Sequence, residues 1–484
     1  MKILNRKNFS GVRKYSNKVI QFGEGNFLRC FIDWQLDIIN EKTDLGAGIF
    51  IVRPIDTDYL PLLDTQDGLY TTLIRGINEK KELINEKRII SSVNQEVNIY
   101  KNYERVVEEF KNPDIKYIFS NTTEAGIVFN KEDRFEDKPQ VSYPGKLTKL
   151  LYERYRYFNG DKDKGLLIFP CELIDYNGQE LKKIVLEYTK LWKLELEFVK
   201  WLEESNIWCS TLVDRIVTGY PKDEKDELER ELGYVDKYMV AGEYFHLLVI
   251  QGPKWLEKEL RLKEVNLNIR IVDDIKPYKE RKVGILNGAH TAMVPVSYLC
   301  GKETVKESME DIVIKKYLES LINEEIIPAL NMDKQELKEF ANSVIDRFNN
   351  PYIKHQLLSI SLNSMFKFKT RLLPQLLTNV DKLNKFPKYM AFSLASLIYF
   401  YRGKRGEEII PINDERRFCE LYTKIWENYD NSKKNSIEIA REILGLKEHW
   451  ERDLNEIENL TETVGEYIYR IHSEGVKKVL ELGL

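Results

Sequence analysis

The run Lys18-Val-Ile-Gln-Phe22 passes directly into Gly23-Glu-Gly25-Asn-Phe27-Leu-Arg29, and the next residues, Phe31-Ile-Asp-Trp-Gln-Leu-Asp-Ile-Ile39, repeat with helical spacing. A short apolar run reads as a buried strand, and a pair of glycines before an amphipathic stretch reads as a tight turn into a helix. That order restricts the fold more than any other feature of the chain. A buried strand feeding a helix through glycines packs well as one unit of a parallel α/β sheet. It also leaves the first N–H groups of the helix, and the positive end of its dipole, above the turn. Such a turn can cradle a pyrophosphate, with Gly23, Gly25, Asn26 and Phe27 as candidate contacts. A plain tight turn explains the same residues, and the third position of the fuller GxGxxG pattern is Leu28.

The texture recurs downstream. Gly48-Ile-Phe-Ile-Val-Arg-Pro54, Ile115-Lys-Tyr-Ile-Phe119, Lys164-Gly-Leu-Leu-Ile-Phe-Pro170 and residues 208–218 read as strands, and residues 100–110 and 179–204 read as helices. Alternating strand and helix predicts a doubly wound, mostly parallel sheet: a Rossmann-like dinucleotide-binding domain over residues 1–276. Asp56, after the second strand, can accept the ribose hydroxyls of NAD, although it lies 31 residues beyond Gly25 rather than the usual ~20. It serves equally well as a turn or cap residue. Arg53 could instead meet the 2′-phosphate of NADP. Asn121 and Thr122, in the Ser120–Gly126 loop, can bond ribose or nicotinamide, or simply cap a helix. Residues 221–232, a mixed-charge run, read as a solvated insertion. From residue 280 onward helical periodicity dominates, which predicts an all-α domain over 277–484.

At the start of that second half stands Glu280-Arg-Lys-Val-Gly-Ile-Leu-Asn-Gly-Ala-His290. On an α-helix Asn287 and His290 lie about 140° and about 80° around from Lys282, so all three share one half of the circumference. An amine can move a proton, an amide can hold an oxygen, and an imidazole can orient a substrate. A half-buried histidine and a snorkelling lysine account for the same residues without any chemistry.

Composition removes several classes. The 484 residues carry 74 Lys and Arg against 78 Asp and Glu, a net charge of −4, which argues against nucleic-acid binding. Cys30, Cys171, Cys209, Cys300 and Cys419 stand singly, with no CxxC, which argues for a reducing compartment and against a structural zinc. No apolar run approaches the ~18 residues of a membrane span. The expectation is a cytoplasmic protein with no membrane partner.

With these motifs in place, the chain resembles the mannitol dehydrogenase family of long-chain polyol dehydrogenases. The resemblance is carried by Gln21–Arg29, Pro170-Cys-Glu-Leu-Ile-Asp-Tyr-Asn-Gly178, Val213-Asp-Arg-Ile216, Lys282–His290 and Asn363-Ser-Met-Phe-Lys-Phe-Lys-Thr-Arg-Leu-Leu-Pro374. It implies a zinc-independent, NAD-linked dehydrogenase with a Rossmann-like domain followed by a helical one. The family's Lys-x4-Asn-x2-His site falls on Lys282, Asn287 and His290, and a further family lysine falls on Lys367. Polyol enzymes keep an asparagine after a Cys-Asp pair, whereas this chain has Leu173 after Cys171-Glu172. Asn177 or Glu172 would then have to supply the missing substrate contact. The departure marks the hexuronate-handling branch, and implies reduction of tagaturonate to altronate, with fructuronate or mannitol 1-phosphate as alternative substrates. A non-catalytic NAD-binding sensor is the alternative of another class. A hexuronate carboxylate calls for a cation, and Lys367, Lys369 and Arg371 are the candidates. The implied partner is a small hexuronate or aldonate, handled by a monomer or small homo-oligomer.

Overall fold

The computed structural model describes residues 1–57, 63–122 and 126–484. The chain divides into two compact units, Met1–Ile275 and Lys276–Leu484. The first is built on a six-stranded sheet whose strands we number β1 (Asn17–Phe22), β2 (Gly48–Arg53), β3 (Val93–Asn98), β4 (Tyr117–Ser120), β5 (Leu167–Pro170) and β6 (Ile207–Trp208). Their order is β3-β2-β1-β4-β5-β6 and every pairing is parallel. The near-continuous apolar runs are what a parallel sheet covered on both faces requires. Alternate residues divide between two cores: Val19, Ile49, Ile51, Phe119 and Phe169 enter one, while Ile20, Phe50, Val52, Ile118 and Ile168 enter the other. Each such side chain contributes roughly 1.5–3 kcal/mol by leaving water. The strand order reverses between β1 and β4, so a crevice for ligand opens past their carboxyl ends.

Antiparallel pieces surround this sheet. Tyr70–Ile77 pairs with Leu83–Ile90 and, in parallel, with Val240–Glu243. Ser210–Asp214 pairs antiparallel with Leu247–Gln251. Leu83–Ile90 carries no apolar alternation to announce it, because most of its residues face outward or lie half-exposed. The stretch 179–204, read as one helix, is two, Asn177–Leu191 and Leu196–Glu204. Lys193 takes a left-handed φ of 52° between them, which no helix continues through.

The second unit is helical. Lys388–Phe400 is buried at every position from Met390 onward, and it packs against Gly288–Leu299 and Leu460–Glu474. A helix apolar on all sides belongs inside a bundle. Glu325 caps it by accepting hydrogen bonds from the Tyr389 and Met390 N–H groups, both at 2.9 Å. Burial nevertheless pushes that carboxyl up to about 7. The helical stretch 305–329 breaks at Asp311 and again at a π turn over Ile322–Ile326. Among the described residues, no helix is long and apolar enough to cross a membrane.

Candidate active site

At the end of β1, Gly23 takes a φ of +117°, and a Cβ there would meet the Asn121 carbonyl oxygen at 2.9 Å. Both features demand glycine. They bring the β1 turn hard against the loop after β4, where the Asn121 N–H donates to the Phe22 carbonyl at 3.0 Å. Gly25 is different. Its φ of −62° suits any residue, and a Cβ on it would meet nothing within 4 Å. Packing within the protein therefore does not explain this glycine. Gly25 stands at the N-cap of the helix Asn26–Lys42 with no side-chain cap bond, and the N–H groups of Gly25, Asn26 and Phe27 donate to no described residue. A backbone kept clear of side chain at a helix N-terminus fits the close approach of a dinucleotide pyrophosphate. Asn26 is exposed, with its Oδ1 accepting from Arg29 Nη2 at 2.7 Å. Phe27 is half-buried and stacks on Phe31 at 5.1 Å, so its ring belongs to the core edge.

Asp56 is exposed past the end of β2. Arg53, the candidate for a 2′-phosphate, is buried and donates from Nη2 to Glu96 at 2.6 Å, with Glu24 at 3.5 Å. Its charge is met by protein carboxylates.

The two residues expected to meet substrate after β5 both have protein partners. Glu172 is 2% exposed, and its carboxylate accepts from Ser120 Oγ at 3.1 Å and from Thr122 N and Oγ1 at 3.0 Å. Asn177 is fully buried. Its Nδ2 donates to the Glu172 and Thr211 carbonyls, and its Oδ1 accepts the Thr211 N–H at 2.8 Å. Both side chains tie neighbouring segments together through these bonds. Burial raises the Glu172 carboxyl above its ordinary range, against the pull of those hydrogen bonds. By the same geometry Thr122 is tied to Glu172, and Asn121 Nδ2 donates to the Cys171 carbonyl at 2.7 Å. Residues 123–125 of that loop lie outside the described residues.

In the second unit, Lys282–Asn287 forms a π turn between the helices Lys276–Arg281 and Gly288–Leu299. This corrects the 100°-per-residue placement. Closing hydrogen bonds from residue i+5 back to i sets Asn287 about one turn beyond Lys282 and so over the same face, and π turns recur at functional sites. His290 follows Asn287 by one α-helical step on that face. A Cβ on Gly288 would come within 3.2 Å of Leu372 Cδ2 and 3.5 Å of the Arg371 carbonyl, so glycine lets the helix Ser364–Arg371 close in. Arg371 Nη1 then donates to Thr291 Oγ1 at 3.3 Å, and Thr291 Oγ1 to the Asn287 carbonyl at 2.9 Å.

His290 is 8% exposed, stacked on Phe348 at 4.2 Å and edge-on to His355 at 5.3 Å. Its Nε2 has no hydrogen-bond partner among the described residues. Burial, and then the positive fields of His355, Arg347, Arg371 and Lys367, hold the imidazole well below its ordinary range. It stays neutral in a strongly cationic setting. Lys367 Nζ donates to the Ile360 carbonyl at 2.8 Å, and burial followed by Arg371 lowers its amine, opposed by Asp414. Asp414 anchors the start of this helix, accepting from Met365 N at 3.2 Å and from the Tyr401 hydroxyl. Lys369 points elsewhere, to Glu451 at 2.8 Å. His355 and Arg347 escaped the sequence reading. Both come to His290 only through tertiary packing, and neither sits in a motif.

The Mannitol dehydrogenase Rossmann domain matches residues 17–264, and the Mannitol dehydrogenase C-terminal domain matches residues 274–472. The chain belongs to the mannitol dehydrogenase family. Within it, the chain is 52% identical to an altronate oxidoreductase of Pectobacterium carotovorum over 99% of both chains, and 52% identical to one of Escherichia coli over the same share. Among solved structures, the fold is shared with Pseudomonas fluorescens mannitol 2-dehydrogenase, solved with NAD and D-mannitol, at TM-score 0.70 and 19% identity over 100% of this chain and 99% of that one. It is also shared with a substrate-free D-sorbitol dehydrogenase at TM-score 0.81 and 21% identity, over 98% and 99%.

Proposed function

We propose that this chain is an NAD-dependent oxidoreductase that interconverts tagaturonate and altronate. The observation that carries the reading is the neutral, buried His290, its Nε2 unpartnered among the described residues, set among the charges of Lys367, Arg371 and Arg347. A neutral hydrogen-bonding group inside a cationic shell suits a polyhydroxy substrate that also bears a carboxylate. The altronate oxidoreductases that match along the whole chain support the same substrate.

Bound NAD supplies the acceptor for the hydride that leaves the alcohol carbon. Gly23, Gly25 and the N–H groups that open the helix Asn26–Lys42 would hold its phosphates. The remaining work falls to side chains. In oxidation Lys282 takes the proton from the altronate hydroxyl, and in reduction it returns a proton to the keto oxygen. Asn287 donates to that oxygen as negative charge develops on it, and His290 holds a neighbouring hydroxyl. Lys367 and Arg371 face the carboxylate. The five cysteines are unpaired, which supports a reducing, cytoplasmic setting, and we assign the enzyme as a monomer or small homo-oligomer.

Initial rates on tagaturonate, fructuronate and fructose 6-phosphate, each with NADH and NADPH, test the assignment. We expect the highest kcat/KM for tagaturonate with NADH. A preference for the phosphate ester would overturn it.

A further inference from the structure

We infer that Gln21 and Arg29 are positioning residues for the cofactor phosphates: they hold the carbonyls of the glycine turn inward and so aim its N–H groups at the anion. The inference rests on the NAD-dependent reading above. Three consecutive carbonyls of the turn accept hydrogen bonds, two of them from side chains and the third from the helix backbone. Gln21 Nε2 donates to Gly23 O at 3.1 Å, Arg29 Nε to Glu24 O at 3.0 Å, and the Arg29 backbone N–H to Gly25 O at 3.3 Å. In a planar trans peptide the C=O and the following N–H point in opposite directions. Fixing these three carbonyls therefore fixes the N–H groups of Glu24, Gly25 and Asn26 on the opposite side, and none of the three donates to a described residue.

The sequence position of Arg29 makes the same point independently. A cation in the first turn of a helix opposes the helix dipole, which favours negative charge there. Arg29 is nevertheless 4% exposed, with Nη1 on the Tyr238 carbonyl at 2.6 Å, Nη2 on Asn26 Oδ1 at 2.7 Å, and its guanidinium 5.1 Å from the Tyr70 ring centroid. Its hydrogen-bonding partners are carbonyl-type oxygens, and the buried Asp33 carboxyl feels its charge without a direct hydrogen bond between them. Gln21 is likewise fully buried in β1, and its Oε1 has no partner. The same amide lies beside the buried Asp33 carboxyl, which it helps to hold down against the upward push of burial.

The test compares Gln21→Met and Arg29→Met with the wild-type chain, titrating NADH, ADP-ribose (which keeps the pyrophosphate) and adenosine (which lacks it). Gln21→Met removes one neutral donor at nearly constant volume, so it keeps the test open if Arg29→Met folds poorly. We expect Gln21→Met to weaken NADH and ADP-ribose by about tenfold and Arg29→Met by about a hundredfold. Adenosine should bind within twofold of wild type, Arg29→Lys should recover part of the loss, and kcat at saturating NADH should hold. Equal weakening of adenosine and ADP-ribose would reduce the two residues to a structural role and overturn the inference. So would variants that bind ADP-ribose as wild type does. A wild-type chain that binds neither NADH nor ADP-ribose would instead overturn the cofactor reading itself.

Discussion

Around the glycine turn of the first unit, the polar side chains serve the protein itself. Arg53 meets Glu96, Glu172 meets Ser120 and Thr122, Asn177 meets Thr211, and Gln21 and Arg29 meet the turn's own carbonyls. On the proposed reading, what that region offers a ligand is backbone. In the second unit the case is reversed. The Lys282–His290 stretch opens on a wide helical turn, and a buried polar atom, His290 Nε2, has no partner among the described residues while several cations surround it. That region offers side chains. The contrast follows from the chemistry each must perform. A pyrophosphate is recognised well by fixed N–H dipoles, whereas moving a proton requires a group that can lose and regain one.

The sharpest way to break the contrast is Lys282→Ala. If the second unit works through side chains, kcat falls by about 10³-fold while the Kd for NADH stays within twofold by fluorescence titration. A variant that keeps near wild-type turnover would remove Lys282 from the chemistry.

The two glycines of the first unit divide the next effect between stability and binding. Gly23→Ala forces a side chain to a φ of +117° and to 2.9 Å from the Asn121 carbonyl, and should cost about 1–3 kcal/mol in denaturant unfolding. Gly25→Ala meets no protein atom within 4 Å, so its melting temperature should match wild type while NADH affinity falls by about tenfold. Equal loss of stability in both would mean that Gly25 serves packing after all.

Much of this was legible from residue order, and the exceptions share a cause. The strand-turn-helix at Lys18–Ile39 and the later apolar runs are local patterns, and they yield four of the six parallel strands, whereas Val93–Asn98 carries no apolar run and Ile207–Trp208 is only the edge of the stretch 208–218. The partners of Asn177 and Glu172 are not legible because they lie far along the chain, 34 residues away at Thr211 and 52 at Ser120. No periodicity in residues 171–178 marks a side chain as already engaged. The π turn at Lys282–Asn287 was missed for a different reason. It is a shift of backbone hydrogen-bond register, and the residue types that fill it suit an α-helix equally well. His355 and Arg347 join His290 only by packing. Sequence pattern reports the faces of elements well, and it reports poorly on which polar groups find each other once those faces meet.

Lys369 provides the finest test of where the second unit's exposed chemistry stops. It lies two residues from Lys367 and two from Arg371 on the same helix, yet an α-helix turns the residue at i+2 away from both. Its amine pairs with Glu451 at 2.8 Å, and the Glu451 side chain is 78% exposed. A pair so open to water is worth little, so Lys369→Met should leave the denaturant midpoint close to wild type. The KM for tagaturonate should not move. A rise in that KM, with stability unchanged, would extend the carboxylate-facing set to Lys369 and redraw the line between side chains that hold the fold and side chains that meet the substrate.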